Sequence, residues 1–227
     1  MPKLSRQAAS ARAGKIKPKA VIFDMDGVII DSMPYHFLAW YEVLRPYGVR
    51  VSCFDVYSKE GEKWSKTLKS LLIQAGIKPT TKLLTEIFSR RQRIFRKLFQ
   101  RFIFNGAQEL LSSLKKQGYL LGLVTGSPRK EVNTILPRSI ISKFQVIVAG
   151  DEVRMGKPDP QPYLRAASLF GLQPKDCLVV ENAPLGIESA KKAGMFCVAI
   201  TTSLPKEYLR KADLIVDNLK LLSLCLL

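Results

Sequence analysis

Short apolar runs punctuate this chain, and between them apolar residues return every three or four positions. Taken to their closing residues, the runs are Ala20–Asp24, Leu120–Thr125, Phe144–Ala149, Leu178–Glu181 and Phe196–Ile200, with a weaker one at Asp213–Val216. They are too short for helices and nearly unbroken, the pattern of strands buried on both faces of a parallel sheet. Helical periodicity falls between them, over Ala107–Gln117, Arg129–Leu136, Pro160–Phe170 and Gly186–Ala193. Gly118, Gly171 and Gly194 stand where helix C-termini would end. Strand and helix alternate, so the pattern predicts an α/β fold built on a doubly wound parallel sheet.

One segment breaks the alternation. From Met33 to Asn105 the pattern is helical throughout, with helices predicted over Tyr35–Tyr47, Ser65–Ala75 and Thr81–Arg101. In the last of these Leu83, Leu84, Ile87, Ile94 and Leu98 fall on one side. The chain therefore divides into a basic tail over residues 1–19, expected to be disordered, a core over 20–32 and 106–227, and a helical insert over 33–105. Two connections flank the insert, which implies a hinge. No internal repeat is visible.

The chemistry-bearing side chains collect at strand ends. The first run delivers Asp24 and, one residue later, Asp26, followed by Gly27. The C-terminal edge of a parallel sheet is where ligands bind. Two carboxylates this close do not both stay ionised without a cation or a shared proton. The pair points to a magnesium site, to a nucleophile with an acid partner, or to both. Asp-x-Asp alone also occurs in calcium loops and ordinary turns, but three further signals follow in order. Leu120–Val124 runs into Thr125, Gly126 and Ser127; Gly156-Lys157-Pro158-Asp159-Pro160 holds a lysine in a proline-bounded turn; Cys177–Val180 runs into Glu181 and Asn182.

Together these motifs resemble those of the haloacid dehalogenase superfamily of aspartyl phosphotransferases, over nearly all of the chain beyond residue 19. Asp24–Ser32, Tyr35-His36-Phe37, Ala39-Trp40 and the stretch from Gly186-Ile187-Glu188-Ser189-Ala190 to Gly194-Met195 are similar to the β-phosphoglucomutase branch. The resemblance implies a Rossmann-like core with a helical cap, and Mg²⁺ as cofactor. It implies that Asp24 is the nucleophile, forming an aspartyl phosphate. Asp26 would be general acid and base, with its backbone carbonyl on the metal. Thr125 and the Gly126 and Ser127 amides would hold the phosphoryl oxygens, and Lys157 would supply positive charge. Phosphoryl transfer offers a protein little bonding to assist, so electrostatic clamping is most of its catalysis.

Two positions depart from the family pattern. Asn182 stands where an acid is the usual metal ligand. Its amide oxygen can still bind Mg²⁺, with one negative charge lost unless Glu181 compensates, so the candidate metal set is Asp24, Asp26, Glu181 and Asn182. In the mutase branch an arginine just after a cap glycine holds the far phosphate of a bisphosphate. Here the stretch reads Gly61-Glu62-Lys63-Trp64-Ser65-Lys66, with Trp64 in that place. Lys63 and Arg91 remain as basic cap positions for substrate. His36, the only histidine, is either structural or couples cap closure to Asp26. The substitution at Trp64 favours a phosphatase of small phosphorylated metabolites over a hexose phosphate mutase. A non-catalytic basic binding protein on a decayed hydrolase scaffold is the third alternative.

Composition changes this picture little. The 227 residues are 47% apolar and 24% charged, ordinary for a globular protein. No apolar run approaches the roughly 20 residues of a membrane span. Cys53, Cys177, Cys197 and Cys225 have no metal-ligand spacing, as expected of reduced thiols in a cytoplasmic chain. The net charge of +17 is less ordinary: residues 1–19 carry six Lys/Arg and no acid, and Met33–Asn105 carries fourteen basic and five acidic residues. Without clustered aromatics or a recognition motif this points away from nucleic acid and toward a solvated tail and a cap facing anionic substrates. The tail is as poor in acids as a transit peptide but has no amphipathic stripe. A monomer is expected.

Overall fold

The computed structural model describes residues 18–226, so the expected tail lies almost wholly outside the described residues. Six strands, β1 (Ala20–Phe23), β2 (Leu120–Val124), β3 (Val146–Val148), β4 (Cys177–Glu181), β5 (Phe196–Ile200) and β6 (Leu214–Val216), form one sheet in the order β3-β2-β1-β4-β5-β6. Every pairing is parallel. The first strand is central: Phe23 lies beside Leu123 of β2 and Val180 of β4. Strand order reverses at β1, and that is where a crevice opens at the carboxyl ends of such a sheet.

The described residues also form ten α-helices, with four short 3-10 turns between elements: α1 (Met33–Leu44), α2 (Cys53–Tyr57), α3 (Trp64–Gln74), α4 (Thr81–Leu98), α5 (Ala107–Lys116), α6 (Arg129–Ile135), α7 (Arg138–Ile141), α8 (Gln161–Phe170), α9 (Pro184–Lys192) and α10 (Leu219–Leu226). The two-residue period of β1 sorts them into layers. Val21 and Phe23 pack with Leu110 and Leu114 of α5, Val132 of α6 and Leu222 of α10. Ala20 and Ile22 face the other way, onto Tyr163 and Ala166 of α8 and Ile187 and Ala190 of α9. Helices thus cover both faces, as the unbroken apolar strands require. Cys177 and Cys197 are buried in β4 and β5, while Cys53 is exposed.

Between β1 and β2, helices α1 to α4 enclose a separate apolar cluster that includes Trp40, Leu44, Leu68, Leu72 and Ile87. The α4 helix stops at Leu98, short of the expected Arg101, because the chain turns extended at Phe99. Arg101 instead donates from Nε to the Ile135 carbonyl at 2.8 Å and from Nη2 to that of Thr134 at 3.0 Å. Helix α2 is too short to show a period, though Ser52 and Asp55 form a capping box at its start. The two connections to the insert run side by side. The Asp31 amide donates to the Phe102 carbonyl at 2.9 Å and the Phe104 amide to Ile29 at 3.1 Å, with Ile30 opposite Ile103 in antiparallel register. Among the described residues no helix is long and apolar enough to cross a membrane.

Candidate active site

Asp24 is the first residue past β1. Its amide donates to the Val180 carbonyl of β4 at 2.9 Å, so sheet register fixes its position. The side chain is fully buried, and Oδ1 accepts a hydrogen bond from Lys157 Nζ at 2.5 Å. The same ammonium donates to Glu181 Oε1 at 2.6 Å. Glu181 closes β4 and is anchored in turn: Oε1 also accepts from the Tyr163 hydroxyl at 2.7 Å, and Oε2 from the amides of Asn182 at 2.9 Å and Ala183 at 3.3 Å. Burial disfavours a charge on Lys157, but Asp24 and Glu181 outweigh it and hold the ammonium above its ordinary range. Burial pushes the Asp24 carboxyl up to about 8 even though Lys157 pulls it down, and Glu181 and Asp26 add repulsion.

Two buried oxygens here have no hydrogen-bond partner, Asp24 Oδ2 and Asn182 Oδ1. An unpaired buried acceptor costs about 1–3 kcal/mol, so an electrophile at this point would relieve both. Asn182 is oriented by its Nδ2, which donates to Ser203 Oγ at 2.7 Å. Gly27 makes room for this arrangement: its φ is +85°, and a Cβ there would overlap the Asn182 amide. The Asp26 carbonyl accepts no hydrogen bond among the described residues. Among those residues no trio of His, Cys, Asp and Glu side chains gathers as a metal centre. The open donors are instead one carboxylate, one amide and one backbone carbonyl, all hard oxygens of the kind Mg²⁺ takes. They fit that ion. Glu181, expected as a ligand from the sequence, differs, since both its oxygens are occupied around Lys157 and the β4 terminus.

Asp26 is equally buried but hydrogen-bonded at both oxygens. Oδ1 accepts from Ser32 Oγ at 2.5 Å and from His36 Nε2 at 3.0 Å; Oδ2 accepts from Thr125 Oγ1 and Ser127 Oγ, each at 3.2 Å. Burial alone would raise this carboxyl, yet it ends below its ordinary value because His36, Ser32 and Thr125 together outweigh burial. Arg91 Nη2 contacts His36 Nδ1. A guanidinium only donates, so Nδ1 is the acceptor and the proton sits on Nε2, facing Asp26. The imidazole stacks on Phe95 with centroids 4.5 Å apart, and the guanidinium lies over Trp40 and Phe95. The structure thus brings His36 and Arg91 of the insert into one chain of contacts with Asp26.

Lys63 does not join them. It is exposed, and its Nζ donates to the Val153 carbonyl at 3.1 Å, clipping the insert to the core beside a small pocket that it lines with Thr125, Gly126 and Lys157. The loop before it lies directly on the core. Gly61 has φ +81°, a Cβ on it would strike the Lys157 side chain, and a Cβ on Gly126 would sit 3.0 Å from the Gly61 Cα. Beside this contact is a cavity of about 80 Å³ lined by both halves of the molecule, including His36, Trp64, Arg91, Gly126 and Ser127. Three further lining or supporting residues were not foreseen: Glu60 and Glu131, which line the cavity, and Tyr163 beneath Glu181. Burial first, then Asp26 and Asp24, hold Glu60 well above the usual carboxylate range. Tyr163 follows the Gly156–Pro160 motif closely in sequence and was within reach; Glu131 carries no local signal.

Known proteins similar to this chain point to one family. Residues 21–200 match the model of the family described as haloacid dehalogenase-like hydrolase. The chain is 35% identical over 216 residues to a β-phosphoglucomutase of Bacillus subtilis, covering 92% of this chain and 93% of that one. It is 30% identical over 202 residues to a validoxylamine A 7'-phosphate phosphatase of Streptomyces hygroscopicus, covering 88% and 94%. Among solved structures, the β-phosphoglucomutase of Clostridium difficile superposes with a TM-score of 0.78 at 25% identity, covering 88% of this chain and 91% of that one.

Proposed function

The chain belongs to the haloacid dehalogenase-like hydrolases, as a phosphoryl-transfer enzyme of the β-phosphoglucomutase-like branch, and from that premise we propose that it is a Mg²⁺-dependent phosphatase of small phosphomonoesters in the cytoplasm, sugar phosphates or similar metabolites. The observation that carries this is the pair of unpartnered buried oxygens, Asp24 Oδ2 and Asn182 Oδ1, beside the Lys157 ammonium. Asp24, Asn182 and the Asp26 carbonyl would hold the metal, which supplies charge to offset repulsion between a carboxylate and a phosphate dianion.

Asp24 attacks phosphorus, the ester oxygen leaves, and an aspartyl phosphate forms on Oδ2. Lys157 keeps the carboxylate aimed through Oδ1 and neutralises charge on the transferring group. The Gly126 amide would receive a phosphoryl oxygen, joined by the Thr125 hydroxyl and the Ser127 amide once substrate draws them from Asp26 Oδ2 and Thr125 Oγ1, to which they donate here. Asp26, held ionised by its four donors in this arrangement, would first take up a proton, pass it to the leaving oxygen and then take one from the attacking water. Because His36 Nε2–H points at Asp26 and Arg91 holds the other ring nitrogen, that proton traffic is tied to the position of the insert, which acts as a cap. Glu181 and Tyr163 position Lys157. The seated loop at Gly61 excludes water from the closed site.

A mutase is the second reading, favoured by identity to the Bacillus subtilis enzyme. Trp64 in place of a phosphate-holding arginine speaks against it, as the intact set Asp24, Asp26, Thr125 and Lys157 speaks against a decayed scaffold. A screen of phosphomonoesters with Mg²⁺ tests all three. Release of inorganic phosphate that stops with a chelator is expected. Isomerisation of a hexose phosphate without phosphate release would overturn the phosphatase assignment.

A further inference from the structure

The cavity between cap and core carries polar atoms whose hydrogen-bonding capacity phosphoryl transfer leaves open. Glu131, in the first turn of α6, and Arg91, in the middle of α4, face each other across it. Their closest approach is 4.0 Å, too long for a hydrogen bond. Glu131 Oε1 and Arg91 Nε are both buried and both without a partner. The open groups are thus one acceptor and one donor. A hydroxyl satisfies both at once, because it donates and accepts. A phosphate accepts only, so it would answer Arg91 and leave Glu131 both unpaired and repelled.

The charge balance of the lining gives no surplus of cations for a second phosphate: Asp55, Glu62 and Glu131 face it against Lys59 and Arg91, with Glu60 held toward its neutral form. Arg91 is moreover engaged with His36 and packed on Trp40 and Phe95, so it is no free anion receptor. One wall is apolar and flat, where Trp64 stacks on Phe88 with centroids 3.9 Å apart and planes within 7°. Such a plate suits the C–H face of a polyol.

We propose that Glu131, acting with Arg91, reads a hydroxyl on the far end of the substrate, so that the enzyme takes monophosphates with an uncharged, polyhydroxylated tail and rejects bisphosphates. This rests on the phosphatase assignment above. Glu131 is a specificity-determining residue, since it touches the tail and not the reacting atoms.

The test has a kinetic arm and a binding arm. In the first, hydrolysis of a hexitol monophosphate, a hexose bisphosphate and acetyl phosphate is compared for the parent enzyme, Glu131→Gln and Glu131→Leu. The parent is expected to favour the monophosphate over the bisphosphate by about a hundredfold or more in kcat/KM. Glu131→Gln keeps the shape and removes the charge, so the bisphosphate should gain about tenfold. Glu131→Leu removes the acceptor, so KM for the hexitol ester should rise about tenfold with kcat nearly unchanged. Acetyl phosphate, which has no hydroxyl, should be untouched by either, which also reports that both variants fold. In the second arm, calorimetry with Asp24→Asn and Mg²⁺ compares binding of the same two sugar esters without turnover. If no ester is hydrolysed by the parent, the phosphatase assignment fails while this arm still reads the preference. Equal or tighter binding of the bisphosphate, or a monophosphate-to-bisphosphate ratio that Glu131→Gln leaves within twofold, overturns the inference.

Discussion

The two walls of the site are held in different ways. On the core wall Asp24, Thr125 and Glu181 each sit at or just past the end of a strand, so backbone pairing places them before side chains choose a rotamer. On the cap wall His36, Arg91, Glu60 and Trp64 stand on helices and a loop, and aromatic and guanidinium contacts hold them. Sheet register is all or nothing, because a slip of one residue turns every side chain to the other face. Helix packing tolerates small rotations. The core wall therefore fixes where Asp24, Thr125 and Glu181 stand, while the cap wall, apart from His36 and its partner Arg91, can change without moving them.

Substitutions on each wall can break that contrast. Asp24→Asn should lower kcat by about 10⁴ or more with no fall in thermal midpoint, since shape is kept; residual activity of a few per cent would end the covalent mechanism. Lys157→Met should cost about 10²–10³ in kcat. It should also destabilise the fold by about 3–5 kcal/mol, because Asp24 and Glu181 lose the cation between them; denaturant unfolding measures this. On the cap wall, His36→Ala should lower kcat by only about ten- to a hundredfold, with unfolding midpoint little changed. If it costs as much as Lys157→Met, the division between the walls is wrong. Asn182→Asp should lower the Mg²⁺ concentration for half-maximal activity by about tenfold, through one added ligand charge, and calorimetric Mg²⁺ binding should follow; an unmoved midpoint would remove Asn182 from the metal. Lys63→Ala should change kcat/KM by less than about twofold, as an exposed clip of little strength.

The same contrast governs what could be read from the sequence. Strands were legible because burial on both faces leaves no polar position, and Asp24, Thr125 and Glu181 were legible because they end such runs. The layers followed from alternation alone. Helices α2 and α7 escaped because five and four residues do not complete a period. For Lys63 the sequence shows a basic residue near a glycine but not that its ammonium is engaged by the Val153 carbonyl. The close seating of Gly61 on Lys157 sends the next lysine outward to Val153. Glu131 was invisible for a related reason. It sits on a core helix and gains meaning only from Arg91, forty residues earlier in the helical insert.

The paired connections at Ile29–Asp31 and Phe102–Phe104 have a consequence for how the chain can change over generations. A long excursion normally adds loop-closure entropy to the folding of the sheet that it interrupts, growing with the logarithm of its length. Here the two ends are zipped together by backbone hydrogen bonds, so β1 and β2 meet across a short, fixed gap whatever lies beyond. Insertions and deletions in the excursion leave strand alignment untouched. The molecule is built like a socket with an exchangeable head, in which substrate range can drift through length and sequence while the catalytic edge stays as it is.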